Sequence, residues 1–203
     1  MSAVRVLGIT GGIGSGKSAA TEILGGLGAV VIDADRVGHE AYAPGTPGWE
    51  RVVAEFGRDV IAADGSIDRR RLGAIVFADP SRRARLDAIV HPLIRAAIAA
   101  RLGAERNMAR TPAIVVEAAL LVEANWDALV DEVWLITARR DAVEQRLMTQ
   151  RGLDSEAIAL RLRAQLDDAQ RAAHADVIID NSGSRDALRA KLVTLWRERV
   201  ARD

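Results

Sequence analysis

The stretch Val4-Arg5-Val6-Leu7-Gly8-Ile9-Thr10-Gly11-Gly12-Ile13-Gly14-Ser15-Gly16-Lys17-Ser18 decides the fold of this 203-residue chain. Its first half is a short Val, Leu and Ile run that reads as a buried strand over Val4–Ile9. From Gly11 to Ser18 the letters fit G-x-x-x-x-G-K-[ST], and a helical pattern opens directly afterwards. Glycines let the backbone turn tightly, so that several N–H groups face one phosphate chain, and the following helix adds its positive end. In such a loop Gly11, Gly12, Ile13, Gly14, Ser15 and Gly16 cradle the phosphates, Lys17 bridges the β- and γ-phosphates, and the Ser18 hydroxyl ligates Mg²⁺. A glycine-rich turn that merely joins strand to helix needs no lysine and serine at those places. The motif calls for a nucleoside triphosphate and leaves the acceptor open.

Working outward, four more apolar runs read as strands: Ala29–Ile32, Ala113–Val116, Glu132–Ile136 and Ala175–Ile179. Between them the spacing is mostly helical, which predicts crossover connections and an α/β fold: a five-stranded parallel sheet flanked by helices in three layers. The gap from about Arg36 to Arg110 is far longer than one crossover needs, so an inserted helical lobe is expected there. Helix starts are read at Asp79-Pro80 and again at His91-Pro92. A charged helical segment, Arg139–Arg171, has the character of a lid. The expected division is a core of about 1–36, 111–138 and 172–203, an acceptor-binding insertion of about 37–110, and a lid of about 139–171, in one domain.

Composition narrows the class. The chain has no cysteine, which excludes disulfides, thiolate metal sites and a cysteine nucleophile. Lys plus Arg and Asp plus Glu each total 28, so the basic surplus of a nucleic-acid binder is missing. No run approaches the ~18 apolar residues of a membrane span, and the N-terminus does not read as a signal peptide. A cytoplasmic protein that binds neither nucleic acid nor membrane is expected. Trp49, Trp126, Trp134 and Trp196 are scattered, and packing is the default role for each.

Val30-Val31-Ile32-Asp33-Ala34-Asp35 sets two acids just past a strand's carboxyl end, the edge that faces the ligand crevice in an open parallel sheet. Phosphoryl transfer needs a carboxylate there to orient a hydroxyl and accept its proton, and Asp33 is the candidate. Asp35 either holds Mg²⁺ through water, fixes the acceptor, or caps the next helix.

At this point the chain resembles the dephospho-coenzyme A kinase family. The similarity is carried by the phosphate loop, by Val31-Ile32-Asp33-Ala34-Asp35, by Ile89-Val90-His91-Pro92-Leu93-Ile94, by Leu120-Leu121-Val122-Glu123 and by Ala175-Asp176-Val177-Ile178-Ile179-Asp180-Asn181. The resemblance implies a nucleoside-monophosphate-kinase-like fold, ATP as co-substrate, Mg²⁺, and transfer to the ribose 3′-hydroxyl of dephospho-coenzyme A, with Asp33 as the base. It also places lid arginines at Arg146 and Arg151, with helix-surface charge as the alternative, and sets His91 near the acceptor, with a helix cap as the alternative. Asn181 stands where such folds often contact adenine or serves as a turn residue ahead of Gly183. Arg95, one helical turn past His91, and Arg69, in the run Arg69-Arg70-Arg71, are candidates for an anionic acceptor; solvated surface charge is the alternative for both. One departure stands out: Ala119 occupies the place of the family's usual proline before Leu-Leu-x-Glu.

Three rival functions are weighed, one of them a catalytically silent member of the same family, against which the intact Lys17, Ser18 and Asp33 stand. A kinase for another small acceptor would share the loop and the lid. A guanine-nucleotide switch would need an Asn-Lys-x-Asp element, and the chain contains none.

Overall fold

The computed structural model describes residues 4–108, 111–163 and 165–201, the side chain of Arg151 excepted. The chain divides into two compact units, Met1–Asp33 with Leu102–Asp203, and Ala34–Arg101. Among the described residues, no helix is long and apolar enough to cross a membrane.

The first unit is built on five parallel strands: β1 (Arg5–Thr10), β2 (Val30–Asp33), β3 (Ala113–Glu117), β4 (Glu132–Thr137) and β5 (Val177–Asp180). All five expected strands form, with ends shifted by one or two residues. Their order across the sheet is β2-β3-β1-β4-β5, so the strand leading to the phosphate loop lies at the centre. Alternate side chains go to opposite faces. Leu7, Ile9, Ala113, Val115, Trp134, Ile136 and Ile179 share a buried cluster with residues of α1 (Lys17–Gly26) and α9 (Arg185–Arg199), including Leu24, Leu188, Leu192 and Trp196. Burying each such aliphatic side chain is worth roughly 1.5–3 kcal/mol, which fixes the strand register firmly. On β1, Gly8 leaves room for a neighbour: a Cβ there would lie 2.6 Å from Leu121 Cδ2.

The second unit is helical. It holds α2 (Ala34–Ala41), α3 (Pro47–Phe56), α4 (Arg69–Ala78) and the first part of α5 (Pro80–Met108). Sequence chemistry sets their starts. Thr46 accepts the Trp49 N–H with Pro47 in the first turn, and Asp68 accepts from Arg70 and Arg71. Asp79 accepts the N–H groups of Ser81 and Arg82 at 2.8 and 3.3 Å.

The second expected helix start is corrected. Pro92 sits inside α5, which runs on through His91-Pro92. Proline forfeits one backbone hydrogen bond and costs about 3 kcal/mol in a helix interior. Val90, Ile94, Ile98 and Leu102, spaced four apart, are all buried, and their combined burial outweighs that loss.

The charged segment after β4 forms α6 (Arg140–Arg151), α7 (Ser155–Arg163) and α8 (Asp168–Ala172). Val143, Leu147 and Ile158 make a small core there, against which Ile13 of the glycine loop packs.

Candidate active site

The loop between β1 and α1 adopts the backbone its glycines permit. Gly16 has φ +100°, a left-handed conformation that L side chains rarely take, and a Cβ on it would fall 2.1 Å from Asn181 Nδ2. Gly11 has no space either, since a Cβ would come within 2.3 Å of the Ile136 carbonyl oxygen. Lys17 folds back over the loop and donates from Nζ to the carbonyls of Gly11 at 2.8 Å and Gly12 at 3.1 Å.

Three side chains hold the loop from outside. Asn181 is 5% exposed and donates from Nδ2 to the Ser15 carbonyl at 2.8 Å. Arg146 donates to the carbonyls of Gly14 and Ser15, both at 3.3 Å, and to that of Asn181 at 2.6 Å. Gln165 accepts the Ile13 N–H at 2.9 Å. Arg146 and Asn181 occupy loop carbonyls, which leaves loop amides available to a phosphate, the Ile13 N–H excepted because Gln165 takes it.

Behind the loop stands Glu117, the last residue of β3. Its Oε1 accepts the Ser18 hydroxyl at 3.0 Å and its Oε2 the Thr21 hydroxyl at 2.7 Å. In the parallel pairing of β2 with β3, Asp33 is the register partner of Glu117. Two carboxylates therefore sit side by side on the ends of β2 and β3, to one side of the loop strand, and Asp33 is exposed. The hydroxyl of Ser18 and the carboxylate of Glu117 are hard oxygen donors of the kind Mg²⁺ takes, and Mg²⁺ sites of this class use one or two protein oxygens plus phosphates and water. The residues fit the ion. Among the described residues no group of three His, Cys, Asp or Glu could hold a metal by itself, so most ligands would come from the nucleotide and water.

A cavity of about 250 Å³ adjoins the loop, lined among others by Gly12, Ile13, Ser15, Arg140, Gln165 and Arg171. Arg171 is 1% exposed and paired with Glu123 at 3.0 Å. Nearby, burial raises the Asp168 carboxyl above the ordinary carboxylate value, against the opposing pull of Arg171 and Lys17.

Within the second unit the remaining sequence candidates fall into two groups. On α2 and α4, Arg69 Nη1 donates to His39 Nε2 at 2.8 Å, and His39 meets Tyr42 edge to face with ring centroids 6.4 Å apart. Tyr42 is half-buried, and burial raises its phenol pKa above 10.0; Arg69 opposes the shift and Asp35 adds to it. On α5, His91 Nε2 lies 3.5 Å from Asp87 Oδ1, one turn earlier, so His91 is a helix-interior residue and not a cap. Arg95, one turn later, is exposed.

Of the candidates, the structure brings together the loop from Gly11 to Ser18, Arg146 and Asn181, with Asp33 one strand beyond Glu117 on the end of β2. Asp35 and Arg69 share the surroundings of Tyr42, while His91 and Arg95 lie along α5. The Arg151 side chain lies outside the described residues. Glu117, Gln165 and Arg171 escaped the sequence reading. An acid closing a Val-rich strand was a usable signal for Glu117, the same one that marks Asp33. Nothing in the local pattern singles out the other two.

The family model for dephospho-CoA kinase matches residues 5–187. A dephospho-CoA kinase of Symbiobacterium thermophilum is 46% identical over 194 residues, covering 96% of this chain and 81% of its own. Among solved structures, one from Thermus thermophilus superposes with a TM-score of 0.80 at 30% identity, over 98% of this chain and 99% of its own. The dephospho-CoA kinase from Campylobacter jejuni does so with a TM-score of 0.72 at 28% identity, over 97% of each chain.

Proposed function

The chain belongs to the dephospho-CoA kinase family, which transfers phosphate from ATP to an alcohol in the last step of coenzyme A synthesis, and we propose that Asp33 is the base of that transfer. The observation that carries this is the strand register: Asp33 stands beside Glu117, and Glu117 accepts the Ser18 hydroxyl. An exposed carboxylate beside the acid that holds the loop serine suits a proton acceptor.

In the proposed reaction the ribose 3′-hydroxyl of dephospho-coenzyme A gives its proton to an Asp33 carboxylate oxygen. The acceptor oxygen bonds to the γ-phosphorus as the bond to the bridging β,γ-oxygen breaks, releasing ADP. Lys17 leaves the Gly11 and Gly12 carbonyls to take the β- and γ-phosphate oxygens. Loop amides bind the remaining phosphate oxygens. Ser18 and Glu117 would hold Mg²⁺, which when bound neutralises charge across the phosphates. Arg146 supplies a cation at the loop from α6. Asn181 borders the adenine side. In the second unit, Asp35, Arg69, His91 and Arg95 are assigned to the acceptor, with the arginines toward its anionic groups.

The test is to incubate the protein with ATP, Mg²⁺ and dephospho-coenzyme A and follow coenzyme A by mass, with AMP as alternative acceptor and GTP as alternative donor. Asp33→Asn should bind ATP normally and lose turnover by about 10²- to 10⁴-fold. Near-normal turnover in that variant would remove Asp33 from the role. Product from AMP alone would keep the loop chemistry and replace the acceptor.

A further inference from the structure

The loop's hold on Ile13 comes from a residue that no step of the transfer uses. The Ile13 N–H donates to Gln165 Oε1 at 2.9 Å, and a Cβ on neighbouring Gly12 would have Gln165 Oε1 and Arg171 Nη1 each 3.8 Å away. Gln165 is itself held in place. Its neighbour Leu166 gives its carbonyl to Arg171 Nη1 at 2.6 Å, and the other terminal nitrogen of Arg171 donates to Glu123 Oε1 at 3.0 Å. Glu123 lies in the turn after β3, whose start is fastened to the central strand: the Ala118 N–H donates to the Ile9 carbonyl at 3.0 Å. Hydrogen bonds joined by short stretches of chain thus lead from β1, through a fully buried arginine, to the third residue of the phosphate loop.

We propose that Gln165 is a positioning residue for the phosphate loop: its amide oxygen fixes the Gly12–Ile13 peptide so that ATP meets a loop already ordered. Glycine-rich chain loses more conformational freedom on ordering than any other. A tether that orders it beforehand shifts that cost from nucleotide binding to folding. The chemistry of the side chain agrees. The Ile13 N–H needs an acceptor, which lysine and arginine lack, and a carboxylate there would set a negative charge beside the phosphates. A neutral amide oxygen answers both demands. The inference rests on the phosphate-loop assignment above and is independent of the acceptor's identity.

The experiment uses the full chain and the variants Gln165→Leu, which keeps the bulk and loses the acceptor, and Gln165→Ala. Hydrogen exchange at the Ile13 amide should be about three- to tenfold faster in both variants than in the parent protein, as expected for one lost hydrogen bond. The Kd for Mg·ATP, measured by calorimetry without acceptor, should rise by about the same factor. With saturating ATP and dephospho-coenzyme A, kcat should stay within about twofold, because the loop's phosphate contacts re-form once it is filled. Gln165→Glu, which keeps an acceptor, should restore slow exchange at Ile13. Unchanged exchange and unchanged ATP affinity in the leucine and alanine variants would overturn the proposal. So would tighter ATP binding, which would mean that Gln165 occupies the phosphate's own place. A protein that passes these tests yet phosphorylates only some other acceptor would refute the substrate assignment and leave Gln165 in its role.

Discussion

The Ser18 hydroxyl donates to Glu117 Oε1 at 3.0 Å, joining the end of the phosphate loop to the end of β3. A hydroxyl that is to ligate Mg²⁺ must present its oxygen lone pair, and a carboxylate behind it orients the group and adds negative charge. Glu117→Ala should therefore raise the Mg²⁺ concentration for half-maximal rate by about 10- to 100-fold, with Glu117→Gln in between. A Mg²⁺ titration of initial rate reads this directly. An unmoved half-saturation point would confine Glu117 to bracing Ser18 and Thr21.

Gly16→Ala should abolish measurable ATP binding. Its φ of +100° costs an L residue roughly 1–2 kcal/mol, and the new methyl would collide with Asn181 at 2.1 Å. Asn181→Ala alone should cost about 1 kcal/mol of ATP affinity through the lost Ser15 bond. Combining the two relieves the collision and keeps the backbone strain, so recovery should be partial. Full recovery in the double variant would show that sterics alone matter at Gly16.

The Arg171–Glu123 pair offers a test of stability. Arg171 is 1% exposed and Glu123 19%, so Arg171→Met strands a mostly buried carboxylate. Breaking such a pair from one side costs about 3–5 kcal/mol, or roughly 10 °C in Tm for a chain of this size. Arg171→Met with Glu123→Leu should regain most of it, since the buried carboxylate goes with its partner and only the half-exposed Asp168 loses a cation. A calorimetric scan that finds the double variant as unstable as the single one would contradict this account.

Tyr42 is the chain's single tyrosine, so ultraviolet titration of phenolate reports on it alone. The midpoint should lie above 10.0, because burial disfavours the phenolate. Removing the cation in Arg69→Ala should move it further up, and Asp35→Asn should bring it back toward 10.0. The linkage has a definite sign. A phenol whose pKa is raised on folding contributes stability below about pH 10 that is lost as pH rises through the raised value. A midpoint at or below 10.0 would show that Tyr42 is better solvated than its surroundings on α2 indicate.

Much of this was legible in the chain. The five strands announced themselves as Val- and Ile-rich runs with sharp boundaries, and the loop as glycines at fixed offsets before Lys17-Ser18. Both signals are local, which is why they survive without a structure. Glu117 was passed over because its meaning is not local: it acquires a role only when β3 is laid between β1 and β2, which brings it to Ser18 from one side and Asp33 from the other. Gln165 and Arg171 were lost in a segment crowded with charge, where one buried arginine looks like its exposed neighbours. Pro92 misled for a physical reason, since the rule that proline ends a helix yields when a long apolar stripe continues on both sides of it. Asn181 read as a loop residue near the nucleotide; the described contacts put its amide on the loop's own backbone.

The central position of β1 also bears on how the protein is made. Arg5 pairs with Ala113 and Leu7 with Glu132, so the first strand waits for both neighbours until well over half the chain has left the ribosome. Until then the glycine loop has neither Glu117 nor Asn181 to shape it. The loop precedes in the chain the residues that shape it, so β1, with its Val and Ile edges unpaired, is exposed to mispairing until they arrive.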